Sequence, residues 1–227
     1  MALLLKCGAI FLHIPKTGGS WVERMLYEQD LVEKQIGHKH ATVERVIYPH
    51  TFREAVHFLL SALPRRLAHH GNFDPPPFMF SFVRNPLSWY ESWWKFNMKQ
   101  GWPTWGDPRD PNHWHPNADL ADLEPSDFNT YMKQIIHTHP GYVTTLYHAY
   151  TGPYVQFVGH QETLAQDLVK VLRILNVHFD EDRILASDKV NVSGNRHQIK
   201  WDPAIRHKVL ELEAAAMARF GYDGLST

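Results

Sequence analysis

A chain of 227 residues, 44% hydrophobic and 21% charged, is long enough to bury a core and reads as one domain spanning 1–227. Its 23 basic and 24 acidic residues leave a net charge of −1, which excludes a broad electrostatic grip on nucleic acid while leaving room for a local basic pocket. The single cysteine, Cys7, excludes an internal disulfide and suits a reducing, cytoplasmic compartment; no run reaches the ~20 apolar residues that span a bilayer, so no membrane association is expected.

In chain order, GAIFLHI predicts a first strand over 8–14, with Cys7 a buried thiol at its start. A helix follows from Ser20 to about Glu28, with Trp21, Val22, Met25 and Leu26 on one face. Residues 30–50 are polar and histidine-rich. A helical stretch over 52–63 stops at Pro64, and GNFDPPP is an extended turn. FMFSFVR (78–84) has the continuous apolar character of a strand buried on both faces, and Pro86 opens a helix to about Gln100. Residues 101–125 break the periodicity with five prolines and three tryptophans; a loop of that length is expected to be a lid over an acceptor. Helices over 126–138 and 142–150, a strand over 155–159 and a helix over 162–176 come next. Asp202 and Pro203 begin a last helix that Gly221 stops. Strands alternating with helices predict an α/β three-layer sandwich with a central, mainly parallel sheet.

The loop HIPKTGGSW (13–21) runs from a strand into a helix through a lysine, two glycines and a serine. Backbone N–H groups, a helix N-terminus and Lys16 together suit an anion. A nucleotide-triphosphatase loop, G-x-x-x-x-G-K-[ST], is not matched, because the lysine precedes the glycines. Arg84 ends the buried strand at the edge where α/β folds bind ligands, and its fork matches a phosphate; pairing with a surface carboxylate is the alternative. Ser92, two helical turns on, adds a hydroxyl to the same side. The 16 histidines include pairs such as His113/His115, but no Cys-x-x-Cys or His-Glu-x-x-His accompanies them, so no metal is expected.

FLHIPKTGGSW and FVRNPLSWYESWW together resemble the two cofactor signatures of sulfotransferases that use 3′-phosphoadenosine 5′-phosphosulfate (PAPS). HIPKTGG is closest to the carbohydrate branch, and FVGHQETLAQDLVKVL (157–172) and KVNVSGNR (189–196) are similar to it as well. The resemblance implies a P-loop-like sulfotransferase fold, PAPS as sulfuryl donor without a metal, and a hydroxyl-bearing, carbohydrate-like acceptor. It assigns Lys16, Thr17, Gly18, Gly19, Ser20 and Trp21 to the 5′-phosphosulfate, with Lys16 on the leaving oxygen. Arg84 and Ser92 fall on the 3′-phosphate, Ser193, Asn195 and Arg196 on a late loop closing over the nucleotide, and Gln161 near adenine. The acceptor hydroxyl wants a base near neutral pH. GHKHAT (37–42) supplies His40 first and His38 second, with Glu23 and Glu91 behind them, and an unperturbed imidazole would place the rate limb near 6.5. His13 is expected to be a structural hydrogen-bonder. Trp89 and Trp93 belong to the core, and Trp102, Trp105 and Trp114 to the lid. Two rivals stand beside this: a magnesium-dependent nucleotide kinase, and a nucleotide-binding protein without a working base.

Overall fold

The computed structural model describes residues 2–37, 39–47, 77–100, 115–120, 123, 127–188 and 199–222. The apolar residues ahead of Lys6 form a strand of their own, β1 (Ala2–Leu5), which turns back into β2 (Ile10–Leu12). Leu3 lies opposite Phe11 and Leu4 opposite Ile10. Leu5 N–H to the Ala9 carbonyl and Gly8 N–H to the Leu5 carbonyl, both 2.8 Å, close the turn. Cys7 sits in that turn and is exposed. The expected buried thiol is therefore corrected: the strand begins at Ile10, and Cys7 belongs to the hairpin bend.

The chain continues through α1 (Gly19–Glu28), β3 (Val32–Ile36), α2 (Val43–Ile47), β4 (Met79–Val83), α3 (Pro86–Gln100), α4 (Phe128–Thr138), α5 (Tyr142–Tyr150), β5 (Phe157–His160), α6 (Leu164–Ile174), α7 (Glu181–Leu185), α8 (Pro203–Leu212) and α9 (Ala214–Arg219). The five strands lie in the order β3-β1-β2-β4-β5. β2, β4 and β5 are parallel neighbours, and β1 runs antiparallel to both β2 and β3. Only β1 opposes the common direction, so the sheet is mixed and mostly parallel. β3 escapes the periodicity argument because its middle residues Glu33, Lys34 and Gln35 are exposed, the composition of an edge strand that resists further pairing.

Strand alternation divides the core in two. Ile10, Leu12, Met79 and Val83 face a cluster completed by α3, α4, α5, α8 and α9. Leu3, Leu5, Phe11, Phe80 and Phe82 face one completed by α1, α6 and α7. Helices thus cover both sides of the sheet. Trp89, Trp93, Tyr131 and Tyr147 are fully buried on the first side, where truncating one large aromatic costs on the order of 3–5 kcal/mol.

The last helix does not run through to Gly221. It breaks at Glu213, which is 1% exposed and accepts from the Tyr90 hydroxyl, both Val143 and Thr144 N–H groups and the Thr144 hydroxyl. Gly141 at the start of α5 has no side chain to cap it, so a carboxylate from another helix satisfies those donors. Elements expected over 52–63 and 101–114 lie outside the described residues. Among the described residues no helix is long and apolar enough to cross a membrane.

Candidate active site

The segment between β2 and α1 is held from behind by its carbonyls. The Thr17 hydroxyl donates to the Ile14 carbonyl (3.0 Å), the Trp89 indole N–H to Pro15 (2.8 Å) and Arg84 Nη1 to Lys16 (3.4 Å). Lys16 and Gly18 take left-handed φ values of 67° and 87°, which reverses the chain just before the helix. Among the described residues the N–H groups of Thr17, Gly18, Gly19 and Ser20 have no acceptor. Successive unpaired N–H groups at a helix start form a nest for an anion. The glycines also serve packing: a Cβ on Gly18 would lie 2.6 Å from Leu164 Cδ2, and one on Gly19 would overlap the His13 imidazole. Trp21 departs from its expected place on the anion. Its N–H donates to the Gly18 carbonyl, and its buried indole donates to the Asp188 carbonyl at 3.1 Å.

Lys16 Nζ lies 4.0 Å above the Phe96 ring. Burial, reinforced by Arg84, Lys39 and Lys99, lowers its pKa to about 8, so it remains a cation at neutral pH. Arg84 has no carboxylate within ion-pair distance among the described residues, and its Nε is buried without an acceptor. Among the described residues, then, the alternative of a surface arginine paired with an acid finds no partner. The Tyr147 hydroxyl pins its backbone, accepting from Arg84 N–H (3.1 Å) and donating to its carbonyl (2.7 Å). The nearby acids are committed elsewhere: Glu162 accepts from Asn85 N–H and the Tyr222 hydroxyl, and Glu91 accepts from the Trp201 indole. Ser92 is half-buried on α3, its hydroxyl without a protein partner among the described residues. Gln161 Cγ lies 3.5 Å from a Cβ built on Gly18, so this residue borders the loop. Asp188, anchored to α1 by Trp21 and by Arg24 Nη2 (3.0 Å), is the last described residue before 189–198. Ser193, Asn195 and Arg196 lie outside the described residues.

Beside the loop stands a row of imidazoles. His13 and His40 meet edge-on with ring centroids 4.7 Å apart, and His40 and His115 likewise at 4.9 Å; His115 also stacks on Trp93. His40 Nδ1 is 3.0 Å from the His13 carbonyl, which can only accept, so the proton is assigned to Nδ1 and the lone pair to Nε2. The Tyr150 hydroxyl holds the His40 carbonyl. Burial lowers the pKa of His13 and His40 well below 6.5 and that of His115 to about 4, so all three are neutral at pH 7. The limb expected near 6.5 thus moves to the acid side. His13 fills the space left by Gly19, but its Nδ1 has no hydrogen-bond partner; Glu23 Oε2 is 3.9 Å away. Its ring packs against Gly19, and its hydrogen bond is made by the backbone carbonyl to His40 Nδ1. His38 lies outside the described residues.

Phe96, Lys39, Lys99 and His115 enter the site without having been singled out by the sequence. His115 had one signal, its pairing with His113 inside the long loop. Among the described residues no group of three His, Cys, Asp or Glu is arranged to hold a metal ion. The assembly can bind an anion through N–H groups and two cations, and can take a proton at His40 Nε2 close by. Comparison with protein-family models, with curated proteins and with solved structures gave no match.

Proposed function

We propose that the protein is a sulfotransferase that moves a sulfuryl group from PAPS to the hydroxyl of an acceptor, on a P-loop-like sulfotransferase fold. One observation carries this: the Arg84 guanidinium donates to the Lys16 carbonyl, and these two half-buried cations have no ion-paired carboxylate among the described residues. Two such cations cost desolvation energy, which Tyr147, Glu162 and Glu91 relieve in part for Arg84 and which a bound anion would offset further. The residues fit a nucleotide with phosphate at both ends. Lys16 and the N–H groups of 17–20 would hold the 5′ side, and Arg84 and Ser92 the 3′-phosphate.

The donor supplies an activated sulfuryl group joined through a bridging oxygen to phosphate. Lys16 stabilises the negative charge that develops on that oxygen, an electrostatic role of the kind that dominates phosphoryl transfer. His40 Nε2 takes the acceptor's proton while the His13 carbonyl holds the imidazole in the required tautomer. Phe96 keeps the lysine side chain extended over its ring face.

Calorimetry with adenosine 3′,5′-bisphosphate, adenosine 5′-monophosphate and ATP with magnesium tests the assignment. The bisphosphate should bind most tightly, by about 1.5–3 kcal/mol over the monophosphate. Tighter binding of magnesium ATP would make the protein a kinase and sink the proposal.

A further inference from the structure

A cavity of about 300 Å³ opens beyond His115, between α5, the start of α2 and residues 115–119. Its walls include His115, Asp119, Tyr142, Thr145, Ala149 and Tyr150. It abuts the histidine row at three points. His115 stands edge-on to His40, Tyr150 donates to the His40 carbonyl, and Thr42 lines the cavity two residues after His40. The Tyr142 hydroxyl, 2.8 Å from the Pro116 carbonyl and 3.0 Å from Asn117 Oδ1, fastens residues 116–117 to α5 and fixes the wall.

From this geometry we infer that the cavity is the acceptor site, and that the acceptor is an uncharged alcohol about one ring in size, not an acidic polymer. The inference rests on the sulfuryl-transfer proposal above. Size comes first: a cavity of roughly 150 Å³ suffices for a benzene ring, so this one takes one substituted ring and no more than the end of a chain. Charge comes second. Among the described residues no lysine or arginine lines the cavity, His115 is neutral, and the one acidic wall residue is Asp119, which is exposed. An acidic sugar entering there meets the Asp119 carboxyl group and, among the described wall residues, no lysine or arginine. The cations Lys16 and Arg84 belong to the nucleotide loop, and Lys39 is exposed outside the cavity walls. Third, Tyr142 offers aromatic surface beside Leu146, while Thr42 and Thr145 offer hydroxyls, a lining suited to a ring with polar substituents.

Thr145 and Ala149 are exposed on α5, so a large side chain at either position fills the cavity without entering the core. The test is ligand-observed NMR titration of methyl β-D-glucopyranoside, cyclohexylmethanol and methyl β-D-glucuronide, on wild type, Ala149→Trp and Asp119→Asn. At least one uncharged probe should bind the wild type about tenfold more tightly than the glucuronide, and the tighter of the two tells a sugar from an alicyclic alcohol. Ala149→Trp should weaken that probe by about tenfold or more while adenosine 3′,5′-bisphosphate affinity stays within about twofold, since the two sites share no wall. Asp119→Asn should narrow the gap to the glucuronide. Equal or tighter glucuronide binding, unchanged affinity in Ala149→Trp, or no binding of any probe overturns the inference. A wild type that binds a probe but not the bisphosphate instead overturns the sulfuryl-transfer proposal.

Discussion

The anion loop and the histidine row lie against each other through His13 and Gly19, and burial pushes the pKa values of both downward. They nevertheless meet neutral pH in opposite states. Lys16, lowered from 10.5 to about 8, and Arg84 keep their charge; His13, His40 and His115, lowered from 6.5, lose theirs. Among the described residues, one region therefore holds positive charge without an ion-paired carboxylate, and the other holds unprotonated imidazoles. The same desolvation leaves one side charged and the other neutral, because their unperturbed pKa values fall on opposite sides of 7.

The largest effect expected is on chemistry. His40→Ala should lower turnover by roughly 10²–10⁴-fold and leave bisphosphate affinity unchanged, read from steady-state rates beside calorimetry. A parallel loss of nucleotide affinity would erase the division between the two regions. Next, Arg84→Ala should weaken adenosine 3′,5′-bisphosphate by about 1.5–3 kcal/mol while sparing the 5′-monophosphate. Equal losses would move Arg84 off the 3′-phosphate.

The remaining two effects are read against pH. The row's imidazoles have folded pKa values below the unfolded 6.5, so the unfolded chain binds more protons and stability is lost as pH falls from 6.5 towards 4. Each imidazole contributes up to about 1.4 kcal/mol per pH unit in that window, and His115→Gln should flatten the slope of urea midpoints. Midpoints with equal slopes in the two proteins would show that His115 is not held neutral. Lys16 sharpens the contrast from the alkaline side. Without a ligand its charged form costs stability below about 8, a cost relieved as pH rises towards 10.5. A bound anion favours that charged form, so bisphosphate affinity should drop about tenfold between pH 7 and pH 9, with a flat profile for Lys16→Arg. A wild-type profile as flat as that of Lys16→Arg would remove Lys16 from the anion.

Legibility in the sequence followed how local each cause was. β4, α3, α5 and the Asp202–Pro203 start of α8 could be read because apolar runs, proline and capping residues act on their immediate neighbours. β1 and β3 could not: the apolar run ahead of Lys6 is too short to stand out as a strand, and β3 hid its strand character behind exposed charges at a sheet edge. Glu213 shows the limit from the other direction, since its break in the last helix is set by Val143 and Tyr90, 70 and 123 positions away.

For the site, the sequence by itself determined the loop. Its lysine, two glycines and serine are contiguous, and the turn they make is dictated by residues within a few positions of one another. Arg84 could be added because the end of a buried strand has a known place in α/β sheets. The tertiary structure alone decided what these groups experience. It brings the Trp89 indole to the Pro15 carbonyl, sets Phe96 beneath Lys16, leaves Arg84 Nε buried without an acceptor, and sets His115 edge-on to His40 from 75 residues away. Charge state and tautomer depend on burial and on the partner across the fold. Those are properties of three-dimensional neighbours, and one-dimensional spacing does not carry them.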